Sequence, residues 1–132
     1  MTERAGGDTP ATVADPMPQL LRAVDEPGPL LSVTDLADAM HAFVSSKGWY
    51  GPESKRPQTP RNLAASLVIE AGELMECFQW DDVPDPDALQ DELADVVLYA
   101  LQLANVSGLD LGTVVARKLE RNKSRTWDTV GQ

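Results

Sequence analysis

Two short stretches, Glu70-Ala71-Gly72-Glu73-Leu74-Met75-Glu76 and Glu92-Leu93-Ala94-Asp95, put five carboxylates inside the two most apolar, most helix-like segments of the chain. Acids belong on the wet face of an amphipathic helix. On a helical wheel of about 100° per residue, Leu63, Leu67, Leu74 and Phe78 form one stripe, and Glu70 falls inside it. Glu73 lies at the edge of that stripe and Glu76 further round. In the second segment Leu89, Leu93, Val96, Ala100 and Leu103 form the stripe. Glu92, Asp95 and Tyr99 gather along one flank, since spacings of three and four meet on one face. An ionised glutamate in a core stripe is costly unless it is paired or bound to a cation. The fold must therefore solvate these acids or compensate them.

The punctuation of the chain is helical throughout. Ser32 or Thr34 can cap a first helix that carries Leu36, Ala39, Met40 and Phe43, with Gly48 as its stop. Thr59-Pro60 predicts a second helix over about 60–80, and Asp85-Pro86 a third over about 86–106. Each is a cap followed by a proline at the first helical position. Ser107-Gly108 ends the third helix, and Asp110 caps a fourth over about 111–123. No charge occurs between Val96 and Val106, which predicts burial of the third helix on several sides. The expected class is all-α: a compact bundle of about four main helices, oligomerised through its apolar faces. Residues 1–31, rich in glycine and proline, read as an irregular extension in which Leu20, Leu21 and Val24 could form a short docking turn. The helical domain spans 32–126, and 127–132 form a tail.

A length of 132 residues suits one domain with its own core, and the single cysteine, Cys77, excludes an internal disulfide and suggests a cytoplasmic setting. No apolar run approaches the roughly 20 residues of a membrane span. The net charge of −10 disfavours nucleic acid and favours cations. Five of the eleven basic residues, Arg117, Lys118, Arg121, Lys123 and Arg125, are packed near the C-terminus.

Two neighbouring antiparallel helices, each with a Glu-x-x-acid pair near the core, bring four carboxylates together. Such a cluster suits a hard divalent ion bound through oxygen, Mg²⁺ or Mn²⁺ rather than Zn²⁺. The one histidine, His41, excludes a ferritin-like di-iron set, which needs two Glu-x-x-His motifs. The plainer reading is a set of solvated acids balanced by the basic fourth helix. Lys118 and Asn122 share a face of that helix and suit a polyphosphate, or they merely complement the helix dipole. Trp49 and Trp80 lie at helix ends, where, with Tyr99, they could stack on a base or simply cap the core. No Gly-rich phosphate loop is present.

Taken together, Glu70-x-x-Glu73, eighteen residues, then Glu92-x-x-Asp95 resembles the signature of the MazG-like all-α nucleotide pyrophosphohydrolases. Pro60-Arg61-Asn62-Leu63, Phe78-Gln79-Trp80, Tyr99 and Lys118-x-x-x-Asn122 are most similar to the dCTP pyrophosphatase branch. The resemblance covers about 34–125. It implies a Mg²⁺-dependent enzyme that splits dCTP, or a modified pyrimidine analogue, into the monophosphate and pyrophosphate. By position Glu70, Glu73, Glu92 and Asp95 would be the catalytic metal ligands. Trp49, Trp80 and Tyr99 would frame the nucleoside, and Lys118 and Asn122 would meet its phosphate or sugar end. It also implies a homo-oligomer, a tetramer or a dimer, with sites at subunit interfaces. One departure stands out: the histidine of that branch near the base falls here on Met40, with His41 one residue later. The alternatives are the same fold acting on dUTP or another triphosphate, and a non-catalytic helical oligomer that binds nucleotide or protein.

Overall fold

The computed structural model describes residues 31–126. The expected N-terminal extension, apart from its last residue, and the C-terminal tail lie outside them. Four helices follow one another: α1 (Val33–Ser46), α2 (Pro60–Glu76), α3 (Pro86–Val106) and α4 (Leu111–Lys123). No strand occurs among the described residues, and the chain is all-α. None of the helices is long and apolar enough to cross a membrane.

Each start is set by a side chain that satisfies orphan backbone donors. Ser32 opens α1 through a reciprocal capping box: its Oγ accepts from Asp35 N at 3.0 Å, and its own N–H donates to Asp35 Oδ2 at 3.0 Å. Thr59, Asp85 and Asp110 cap α2, α3 and α4 through Asn62 N, Ala88 N and Thr113 N. Gly48 and Gly108 follow α1 and α3 with φ of +69° and +67°, the left-handed turn that glycine makes at least cost. The second helix is shorter than the periodicity predicts, ending at Glu76 rather than near Trp80. There the backbone tightens into three-residue steps, with Phe78 N bonded to Met75 O and Gln79 N to Glu76 O. Asp81 then accepts from Val83 N and turns the chain away.

α2 and α3 form the main hairpin, α1 packs across α3, and α4 leans on α1. The fully buried set is small: Ala39, Val44, Leu63, Leu101 and Ala104, with Gln102 among them. The expected burial of α3 on several sides holds only toward its C-terminal end, since Leu93, Val97 and Leu98 remain exposed. Val68, Ile69 and Met75 on α2 are 61–70% exposed, and α4 buries no residue completely.

Candidate functional site

The α2–α3 hairpin brings Glu70, Glu73 and Glu92 together. One carboxylate oxygen from each lies within 4.8 Å of the others. The wheel positions account for this: Glu70 is carried into the hairpin by its leucine stripe, and Glu92 faces it from the flank of the α3 stripe. Glu70 and Glu92 are half-buried, whereas Glu73 is exposed. Glu76 is exposed and lies outside the cluster. Asp95, one turn beyond Glu92, is not part of the trio, but its charge acts on both Glu70 and Glu92.

The cluster is electrostatically uncompensated. Burial, then the hydrogen bond and charge of Glu73, then the charges of Asp95 and Glu92 raise the Glu70 carboxyl above its ordinary value. Burial and the charges of Glu73 and Asp95 do the same to Glu92. Oε2 of Glu70 and Oε2 of Glu92 are buried with no hydrogen-bond partner. Orphaned carboxylate oxygens on facing helices, with no cation paired to them among the described residues, are a donor set that fits a hard divalent ion.

Asp95 also lines a cleft of about 700 Å³ between α1, the 47–59 loop, α2 and α3. Its walls are mainly apolar, with Leu36, Met40, Phe43, Trp49, Leu98 and Tyr99 among them. That size and character suit a nucleotide-sized ligand. Trp49 and Tyr99 therefore share one cleft, with Phe43 set edge-on to Trp49 at 5.6 Å. Met40 lines the cleft and His41 does not. His41 turns outward to meet Tyr50, with Nδ1 at 2.8 Å from the hydroxyl. Trp80 is 89% exposed, just after α2, and lies outside the lining. Lys118 is exposed on α4, and Asn122 is half-buried there with an unpartnered Oδ1. Neither reaches this cleft within one chain.

Sequence reasoning passed over two features. Lys55 and Arg56 both line the cleft, and the Arg56 guanidinium lies 5.2 Å from the centre of the Trp49 ring. The available signal was a basic pair standing apart from the C-terminal cluster, just ahead of the Thr59-Pro60 helix start. The second feature is Gln102, fully buried on α3. Its Nε2 donates to the Tyr50 hydroxyl at 2.9 Å and to Gln58 Oε1 at 3.0 Å. Its Oε1 accepts from Asn105 Nδ2 at 3.4 Å, which also donates to Ala37 O at 2.9 Å. The Tyr50 hydroxyl also shares a hydrogen bond with His41 Nδ1 at 2.8 Å.

Residues 65–128 match the model of the MazG-like family. Mouse and human dCTP pyrophosphatase 1 are each 38% identical to the chain, with alignments over 65% of it and 54% of each of them. The dATP/dGTP diphosphohydrolase of cyanophage S-2L is 37% identical over 52% of the chain and 58% of that protein. The chain thus spans about half the length of the curated relatives it matches. A pyrophosphatase of known structure from Archaeoglobus fulgidus superposes with a TM-score of 0.57 at 32% identity, covering 73% of this chain and 93% of the archaeal one.

Proposed function

The chain belongs to the MazG-like family, and on that premise we propose that it is a Mg²⁺-dependent nucleoside triphosphate pyrophosphohydrolase. It would cleave a (deoxy)nucleoside triphosphate to the monophosphate and pyrophosphate, with dCTP or a modified pyrimidine analogue as the favoured substrate. The observation that carries this reading is the pair of orphaned carboxylate oxygens on Glu70 and Glu92 beside an apolar cleft that shares Asp95 with them. The names of the mammalian and archaeal relatives support the reaction class.

In this reading Glu70, Glu73, Glu92 and Asp95 hold the metal. The ion, when bound, polarises the phosphate oxygens and makes the attacking water more acidic. Asp95, common to cluster and cleft, sets where the α-phosphate meets the carboxylates. Glu73, the exposed member, is suited to orient the water and take its proton. Trp49 and Tyr99 hold the base away from solvent, so the phosphates are presented in one direction. Trp80, Lys118 and Asn122 join the site through assembly of copies, for which the exposed apolar residues of α2 and α3 provide the surface.

The test is a panel of the common ribo- and deoxyribonucleoside triphosphates with Mg²⁺ and pyrophosphate detection. Release of one pyrophosphate per triphosphate, lost on chelation, is the expected result. If no triphosphate is turned over and Mg²⁺ leaves the melting temperature unchanged, the hydrolase reading fails and the non-catalytic one replaces it.

A further inference from the structure

We propose that Arg56 reads the base: its guanidinium selects a nucleobase edge that presents two adjacent hydrogen-bond acceptors. This rests on the cleft being a nucleotide site. A loop arginine is ordinarily a floating charge, but this one is held at three points. Its backbone N–H donates to Ser54 Oγ at 3.0 Å, and its carbonyl accepts from Gln58 Nε2 at 3.0 Å. Its guanidinium lies over the Trp49 ring at 5.2 Å. Gln58 is in turn fixed by Gln102, which is wholly buried. The chain of bonds runs from the core of α3 to the backbone of Arg56, so the root of the side chain is fixed before any ligand arrives, and the Trp49 ring gives the guanidinium a surface to lie on.

The other polar groups of the lining have mostly been used. Gln58 spends its oxygen on Gln102 and its amide N–H on Arg56, and Asn62 Nδ2 donates to Pro57 O at 3.1 Å. Arg56 brings the widest planar set of donors to the cleft, and among the described residues it forms no ion pair. The phosphate end is claimed by Asp95 and the acidic cluster, whereas Arg56 is tied to Trp49, the ring that flanks the base. A guanidinium fork pairs with two neighbouring acceptors: N3 and O2 of cytosine, or O6 and N7 of guanine. Uracil and thymine put an N–H between their carbonyls, and adenine puts an amino group beside N7. Such edges set a donor against the guanidinium and lose the paired contact.

The experiment is calorimetric titration of the full chain, with Mg²⁺, against dCMP, dGMP, dUMP and dAMP, so that hydrolysis is not needed. The expected result is that dCMP or dGMP binds about tenfold or more tightly than dUMP and dAMP. Arg56→Ala should bring all four within about threefold of one another, an order-of-magnitude loss of discrimination. Arg56→Lys, which keeps the charge without the fork, should also lose the discrimination while binding all four more tightly than Arg56→Ala does. Lys123→Ala, which removes a cation paired with Glu120 on α4, should leave the ratio as it was. Equal binding of all bases by the unaltered protein, no binding of any, or a ratio that survives Arg56→Ala would each overturn the assignment. An equal weakening of all four in Arg56→Ala, with the ratio kept, would make Arg56 a phosphate contact instead. A protein that shows the base ratios but turns over no triphosphate would refute the hydrolase reading and leave this one standing.

Discussion

Helix α3 carries two buried polar groups about three turns apart, Glu92 and Gln102, and they are treated in opposite ways. Gln102 is wholly buried, and its amide oxygen and both amide protons have partners, on Tyr50, Gln58 and Asn105. Glu92 is half-buried, carries an oxygen with no partner, and faces two more carboxylates. A satisfied network rigidifies what it touches, and here it fixes the loop that bears Trp49 and Arg56. An unsatisfied acidic corner is relieved by a proton or by something from outside the chain that completes it. One end of α3 is finished by the fold; the other keeps orphaned oxygens, and it is there that the proposed cation would sit.

The largest effects should come from the unfinished end. Glu70→Gln removes a ligand and should lower kcat by about a hundredfold or more, since losing even an outer partner of a metal ligand typically costs 10–100-fold. Its helical circular dichroism should be unchanged. Asp95→Asn should lower turnover comparably and weaken the Mg²⁺ response less than Glu70→Gln does, because Asp95 sits at the margin of the trio. Full activity in both variants would dissolve the distinction between the two ends.

Metal binding should appear next, as stability. A ligand at a hundredfold excess over its Kd contributes about 2.7 kcal/mol. For a domain of this size that is on the order of 10 °C in Tm. Saturating Mg²⁺ or Mn²⁺ should therefore raise the thermal midpoint markedly, and the double variant Glu70→Gln/Glu92→Gln should lose the rise. A rise that persists in the double variant would place the cation elsewhere.

The finished end should respond differently. Gln102→Leu leaves the Tyr50 hydroxyl, Gln58 and Asn105 short of a partner, but water reaches Tyr50 and Asn105 keeps Ala37 O, so the loss is that of about one unpaired group, about 1–3 kcal/mol. The expected drop in Tm is roughly 5–10 °C, with the Mg²⁺ increment intact. Tyr50→Phe, which removes one hydroxyl shared by His41 and Gln102, should cost less. A Gln102→Leu variant that keeps its Tm but loses its metal response would reverse the roles of the two ends.

The fold was written in local signals, and these were legible because each acts within a few residues. Ser32, Thr59, Asp85 and Asp110 cap where cap chemistry predicts, and Gly48 and Gly108 turn where a left-handed residue is needed. Glu70 was legible as an anomaly of periodicity. The end of α2 was not, because the apolar stripe runs on through Phe78 while the backbone had already tightened at Cys77. Asp95's separation from the trio was not legible either, since a wheel assigns faces and not distances. The Gln102 network spans up to 52 residues in sequence, and no local pattern encodes such a bond. For the same reason Arg56 read as one charge in a polar loop until the loop's anchors were known.

The smallest effect is a pH dependence of unusual sign. Glu70 and Glu92 are both raised from an ordinary value of 4.5, chiefly by burial and then by neighbouring carboxylates. With a folded pKa above the unfolded one, the folded chain holds more protons than the unfolded chain between the two values. Stability then falls as pH rises through that window. The penalty is complete above the folded pKa and absent below 4.5, where both states are protonated. The metal-free protein should thus gain in Tm as pH is lowered from neutral toward 4.5. Glu70→Gln should raise the metal-free Tm at pH 7 and flatten the trend. Asp35 works in the other direction, since its hydrogen bonds with the Ser32 backbone and side chain lower it from 3.8. Its contribution is present above 3.8 and fades only as pH falls below that value, outside the window. Saturating Mg²⁺ should invert the slope, because protons then compete with the metal for the same oxygens. A metal-free Tm that declines steadily from pH 7 to 5 would mean that the acidic corner is solvated, and the contrast with Gln102 would collapse.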